Sequence, residues 1–232
     1  MEKYNMRANF YPAKEPKMGF IGHADLFISD VIRVKGIAVF DKSDGSGHNI
    51  QFPGYDKDHS YVAPHSKEAF AQMLDVIDKA VASEKHFAFT PGKMKAELSV
   101  SGKAVDEPYA DGRYSLQVGD LCTLHGITTQ PVNYEKDGKE ASFISVRVPN
   151  LPPYEKNGNK VYPPVFEGLK STYEVNGEQK VTDFAQVIQA MVISERKKIL
   201  TKPPLENQME NAAEKAAQAH AGNEAPAKEA ER

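Results

Sequence analysis

Along most of the chain the apolar residues fall at every second position, the period of a half-buried strand, and in two places the period changes to that of a helix. Gly19–Leu26 and Val31–Phe40 read as strands, with Val31, Ile32, Val34, Ile37 and Val39 as β-formers on an interrupted alternation. Asp41-Lys-Ser-Asp-Gly-Ser-Gly47 supplies a turn, and Asn49–Pro53 starts a return strand. Ser66 is placed to cap a helix whose apolar residues, Phe70, Met73, Leu74, Ile77 and Val81, lie on one stripe. The order then repeats. Met94–Val100, Tyr114–Val118 and Leu121–Gln130 read as strands, Tyr134–Lys139 as a hairpin turn and Ser142–Val148 as the return strand. After a loop rich in Pro, Tyr, Asn and Gly, Thr182 is placed to cap a helix with Phe184, Val187, Ile188, Met191 and Val192 on one face.

The repeat of order is accompanied by local matches. Val31-Ile-Arg-Val-Lys-Gly-Ile37 aligns with Leu121-Cys-Thr-Leu-His-Gly-Ile127, sharing the Gly-Ile step. Asn49-Ile-Gln-Phe-Pro53 aligns with Ser145-Val-Arg-Val-Pro149, and Phe70-Ala-Gln-Met-Leu74 with Phe184-Ala-Gln-Val-Ile188. The spacing between copies grows only in turns and loops, where insertions are tolerated. The expected fold class is therefore α+β: two repeated units, each an antiparallel sheet with a C-terminal amphipathic helix packed against it. The units span residues 1–89 and 90–200, the second with longer loops. Residues 201–232, rich in Ala, Glu and Lys and poor in aromatics, are expected to form a disordered tail.

Charge changes the picture of partners. Residues from Leu205 on hold six acids and three bases, so the formal net charge of −3 resides there and residues 1–204 are formally neutral. A neutral body lacks the excess of a strongly basic nucleic-acid binder, so such binding requires a local patch. The single cysteine, Cys122, lies in an apolar alternating stretch, which suits a core residue in a reducing compartment. The N-terminal residues have no apolar leader segment, and no apolar run approaches the roughly 20 residues of a membrane span. A cytoplasmic protein without membrane contact is expected.

The first segment resembles the SpoVG (septation protein) family of small bacterial proteins. The resemblance lies in Lys17–Phe27 as the family's second strand, Val31-Ile-Arg-Val-Lys-Gly36 as its Ile-[RK]-Val step, Asn49-Ile-Gln-Phe-Pro53 as the strand ending in proline, and Ala63-Pro64 through Ala80 as the closing helix. It covers about Met6 to Val81 and, more weakly, Lys93 to Lys197, where Phe143-Ile-Ser-Val-Arg-Val-Pro149 takes the Phe-Val-x-Met-Pro place. The resemblance implies a non-enzymatic DNA- or RNA-binding regulator, dimeric in the single-copy family. Two copies in one chain then form an intramolecular pseudo-dimer or a homodimer. This chain departs from the family directly after the proline: the basic cluster is replaced by Gly54-Tyr-Asp-Lys-Asp-His59 and by Asn150-Leu-Pro-Pro-Tyr-Glu-Lys156.

Candidate nucleic-acid contacts follow from residue type. Tyr154, Lys156, Lys160 and Tyr162, set among prolines, combine rings that stack on bases with cations that neutralise phosphate; the same loop also reads as a solvated connection. Arg33 and Arg147 lie in alternating strands, as sheet-face phosphate contacts or as solvent-side residues. Lys93, Lys95, Lys103 and Arg113 make the start of the second unit basic, and form a patch if they share a face with Arg147. The histidines show no pair at i, i+4 on one helix and no CxxC companion, and no GxGxxG or GxxxxGK[ST] occurs, so neither a metal nor a cofactor is expected. Two other readings stay open: an OB-fold single-strand binder, suggested by Leu116–Gly126, and a protein-interaction module that uses no nucleic acid.

Overall fold

A computed structural model describes residues 3–56, 58–93, 96–175 and 178–201. Residues 202–232 of the expected tail, with Met94 and Lys95, lie outside the described residues, whereas Thr201 is the last residue of a helix. In the first half the order is β1 (Met6–Lys17), β2 (Phe20–Ile28), β3 (Ile32–Asp41), β4 (His48–Gln51), β5 (Val62–Pro64), α1 (Lys67–Ala82) and β6 (Phe87–Thr90). In the second it is β7 (Leu98–Glu107), β8 (Ala110–Val118), β9 (Cys122–Lys136), β10 (Lys139–Arg147), β11 (Tyr154–Lys156), β12 (Asn159–Val161), β13 (Phe166–Gly168), β14 (Lys170–Val175), β15 (Glu178–Asp183) and α2 (Phe184–Thr201). The class is α+β, with antiparallel sheets and one helix against each main sheet.

Helix α1 begins where Ser66 Oγ accepts the Ala69 N–H at 3.0 Å, and it buries Ala69, Met73, Val76, Ile77 and Ala80 on one face. The second helix starts one residue later than the Thr182 cap would set it. Asp183 Oδ1 accepts from the Ala185 and Gln186 N–H groups at 3.1 and 3.4 Å. The acceptor geometry there belongs to Asp183, a residue type that caps as well as Thr.

The main sheets run β13-β3-β2-β1-β6, with β4 also on β3, and β10-β9-β8-β7, with β5 also on β9. Each sheet thus takes one strand from the other half of the chain. Val62, Ala63 and Pro64 pair with Leu124, Thr123 and Cys122, while Phe166, Glu167 and Gly168 pair with Val34, Arg33 and Ile32. Flanking backbone bonds repeat in kind: His125 N–H to the Tyr61 carbonyl and Lys35 N–H to the Val165 carbonyl (2.8 and 2.7 Å), His65 N–H to Leu121 and Leu169 N–H to Val31 (3.0 and 2.8 Å). The two halves are related by a pseudo-two-fold and exchange strands across it. One continuous core, from Tyr4 through Phe166 to Val192, results.

The shared Gly-Ile step has a structural cause. Along β2 and β3 the register passes from Ala24↔Ile37 to Leu26↔Val34, and along β8 and β9 from Tyr114↔Ile127 to Leu116↔Leu124. Each is a β-bulge that sets two residues, Lys35-Gly36 or His125-Gly126, against one. The glycines adopt φ of +71° and +87°, the left-handed region that favours glycine. The exchanged segments press on them: a Cβ on Gly36 would meet Leu151 at 2.7 Å, and one on Gly126 would meet Tyr61 at 3.0 Å.

Three features differ from the expected pattern. The N-terminal residues form β1, in which Met6, Ala8 and Phe10 face the core. The long second loop holds the hairpin β11–β12 and the exchanged strand β13. Among the described residues neither main sheet closes on itself, so their strands form open sheets rather than the barrel of the alternative reading. Among the described residues, no helix is long and apolar enough to cross a membrane.

Candidate nucleic-acid interface

Each main sheet buries one face against its helix and leaves the other open, so alternate residues of every strand point away from the core. On the second sheet one cross-strand row of the open face is cationic. Lys103 of β7 pairs with Arg113 of β8, Arg113 with Thr128 of β9, and Thr128 with Arg147 of β10. The row lies in a wide cleft of about 1270 Å³ that is also lined by Tyr55, Asp58, His59, Tyr61 and His125. Arg113 is paired with Glu107, an exposed pair that solvent screens. Lys103 and Arg147 make no ion pair among the described residues, although the acids Asp58 and Glu107 line the same cleft.

The wall of this cleft comes from the exchanged segment. The Tyr55 ring stacks on the His59 imidazole at 4.9 Å and 20°, and His59 is held by Asp56 at 2.8 Å. Tyr55 is 68% exposed, so its ring is presented to solvent. At the floor, His125 Nδ1 meets Ser115 Oγ at 2.8 Å. Burial, assisted by the nearby His65, pushes the His125 imidazole below its ordinary value of 6.5, and burial lowers His23 likewise, although Asp25 opposes that shift. Both rings are therefore predominantly neutral at pH 7.

The first sheet uses the equivalent positions differently. Its counterpart of the cationic row is Tyr11, His23, Ala38 and Gln51. Two rows along the same face, beyond the row of Phe87, Asn9 and Asp25, lie Phe89, Arg7, Phe27, Arg33 and Glu167 across five strands. The Arg7 and Arg33 guanidinium groups lie 4.8 and 5.2 Å from the Phe27 ring centre, within cation–π range. Phe87, Phe89 and Tyr11 are about half exposed on the same face, at 45, 50 and 48%. The arginines here are internally neutralised: Arg7 by Asp30 at 2.7 Å, and Arg33 by Asp25 at 2.6 Å and Glu167 at 3.3 Å. The first face thus offers rings and the second offers charge. Tyr61 and Asn150 line both the cationic cleft and a smaller one of about 590 Å³ on the first sheet, so the two clefts adjoin at the crossover.

The residues singled out from the sequence fall in different places. Arg113 and Arg147 meet in the cationic row with Lys103, and Tyr154 lines the smaller cleft. Arg33 lies in the aromatic row within its ion pairs. Lys93 sits at the junction of the halves, where its carbonyl accepts from Asn5 N–H and Ser29 Oγ, and it lines a separate small cleft with Tyr4 and Asp120. Lys156 and Lys160 are carried on the exposed hairpin β11–β12 and line neither adjoining cleft, and Tyr162 is 56% exposed just beyond it. Lys95 lies outside the described residues. Sequence reasoning missed Phe27, Phe87 and Phe89. The alternation of β1 around Arg7 was the available signal, because it identifies the strand against which all three pair.

Cys122 is fully buried, and burial pushes its thiol up to about 12, which fits a core residue. Among the described residues, no group of three or more His, Cys, Asp or Glu side chains is arranged to hold a metal ion. Comparison with protein-family models, with curated proteins and with solved structures finds no match to this chain.

Proposed function

We propose that this protein is a non-catalytic, cytoplasmic binder of single-stranded nucleic acid that uses the open faces of both sheets, with a regulatory role of the kind the SpoVG resemblance implies. The observation that carries the reading is the cross-strand row Lys103, Arg113, Thr128 and Arg147 within a cleft walled by tyrosines. Three cations on β7, β8 and β10, of which Arg113 would exchange Glu107 for phosphate, match a chain of phosphates, and each phosphate neutralised releases counterions. The half-exposed rings of the first sheet supply base stacking, which requires unpaired bases. A duplex hides those base faces, so single strands are the preferred ligand.

The test is binding of labelled single-stranded DNA, single-stranded RNA and duplex DNA across a salt series. Arg113→Ala with Arg147→Ala should weaken single-strand binding and reduce the dependence of log affinity on log salt by about 1 to 2. Phe87→Ala with Phe89→Ala should cost about 1–3 kcal/mol per lost stack while leaving that dependence nearly unchanged. Absence of binding to any of the three ligands at about 50 mM salt, where phosphate contacts are strongest, rejects the reading and favours a protein-interaction module.

A further inference from the structure

The pseudo-two-fold sets a standard for each edge of each sheet. In the first half, Met6–Asn9 of β1 are covered by β6, with Met6↔Thr90 through Asn9↔Phe87. The equivalent edge in the second half is Leu98–Ser101 of β7, and among the described residues only β8 pairs with that strand. The helix beside it is correspondingly less covered. Five residues of α1, which lies along β6, are buried, whereas of α2 only Ile188 and Val192 are buried, with Leu200 52% exposed. In sequence, the residues following α2 have no counterpart of Phe87-Ala-Phe-Thr90. Pro203 and Pro204 lack an N–H for a ladder, and Glu206, Asn207 and Gln208 are poor strand formers.

Nothing in the residues of this edge protects it from pairing. Leu98-Ser-Val-Ser-Gly102 has neither charge nor proline, the two common guards of an exposed strand. Its flanks carry one acid and one base, Glu97 and Lys103, both exposed.

We propose that β7 is a homodimerisation edge, pairing antiparallel with β7 of a second copy about a two-fold axis at Val100. In that register Ser99 faces Ser101 of the second copy, Leu98 faces Gly102, and Glu97 faces Lys103. The sequence from 97 to 103 is therefore complementary to itself when reversed, with an opposite-charge pair at each end. A two-fold interface requires this property, since every contact occurs twice. Moving the axis to Ser99 would set Lys103 opposite Lys95 and lose both pairs. Pairing at Val100 keeps the open faces of both copies on the same side, joining two cationic rows into one surface, and brings together the uncovered flanks of the two α2 helices.

The full-length chain is examined by sedimentation over a concentration series reaching about 100 μM, a range in which an interface of modest size is populated. A mass of two chains is expected. Glu97→Lys places lysines opposite each other, and Lys103→Glu does the same with acids. Each should raise the dimer dissociation constant about tenfold or more, and the double exchange Glu97→Lys with Lys103→Glu should restore it to within about threefold of the parent. In parallel, the Ser99→Cys and Ser101→Cys chains mixed in equal amounts should form an intermolecular disulfide more readily than either alone, because native Cys122 is buried and does not compete. Circular dichroism confirms that these exposed substitutions leave the fold intact. A monomer throughout the series, a dimer indifferent to either single reversal, or one that the double exchange fails to restore overturns the proposal.

Discussion

Asp111 and Arg196 illustrate how much one pair of side chains contributes away from the interface. Arg196 of α2 donates Nε and Nη2 to Asp111 Oδ2, the former at 2.8 Å, and Thr129 donates its hydroxyl to the other carboxylate oxygen. Burial alone would raise the Asp111 carboxyl, but the Arg196 and Thr129 hydrogen bonds together with the Arg196 charge outweigh it and hold it below its ordinary 3.8. The sign follows from linkage. A carboxyl depressed in the folded state stabilises the fold above its unfolded value and loses that contribution as pH falls through the folded one. Arg196→Ala should lower stability by about 1–3 kcal/mol at pH 7, because it leaves a mostly buried carboxylate without its cation. In urea titrations the difference from the parent should shrink as pH falls through the ordinary carboxyl range and on through the depressed value of the folded parent, where Asp111 takes up its proton. A difference that stays constant from pH 7 to pH 3 would place the effect in packing by the Arg196 stem.

At the level of elements, the bulges decide where the halves can interlock. Replacing Gly126 by Ala forces a φ of +87° on a side chain and drives its Cβ toward Tyr61 of the exchanged segment, and toward Pro149 of its own half. A loss of about 1–3 kcal/mol is expected. Ala at Gly138 is the control, a positive-φ hairpin position where a Cβ meets nothing within 4 Å, so it isolates the backbone contribution. A loss at Gly126 clearly exceeding that at Gly138 attributes the excess to the crossing strand, and equal losses would refute it. The glycine was visible in the sequence as a shared Gly-Ile step, and the strands around it followed from alternation. The exchange itself was not legible, since Val62–Pro64 and Phe166–Gly168 are three-residue strands whose partners lie more than fifty and more than one hundred residues away in the chain. Local pattern carries no information about such partners. The same limit explains the site: Arg113 and Arg147 were legible as cations on strands, but that they share a row with Lys103, while Lys93 does not, is decided by register. Lys156 and Lys160 drew notice through composition alone.

At the scale of the whole molecule, the strand exchange makes the two halves one folding unit. If β13 is removed from the first sheet, β3 loses the partner of Ile32–Val34, and the buried Phe166 leaves the core; if β5 is removed from the second, β9 loses the partner of Cys122–Leu124 along with Val62. Neither half can therefore unfold while the other keeps its native edge. Deleting a buried Phe or Val side chain costs about 1–5 kcal/mol on its own, a large share of the 5–15 kcal/mol that holds a typical domain. Unfolding of the described core should accordingly be a single cooperative transition, with calorimetric and van't Hoff enthalpies in agreement and with coincident curves from far-ultraviolet circular dichroism and from tyrosine fluorescence. Phe166→Ala is the informative variant, because the residue is contributed by the second half yet packs in the first sheet. Coupled halves predict one transition shifted to lower denaturant with an unchanged slope, whereas independent halves predict a first transition displaced away from an unmoved second. The two outcomes separate a tandem array of domains from an intramolecular pseudo-dimer. In the latter case the cationic row and the aromatic row are held at a fixed relation by the core between them.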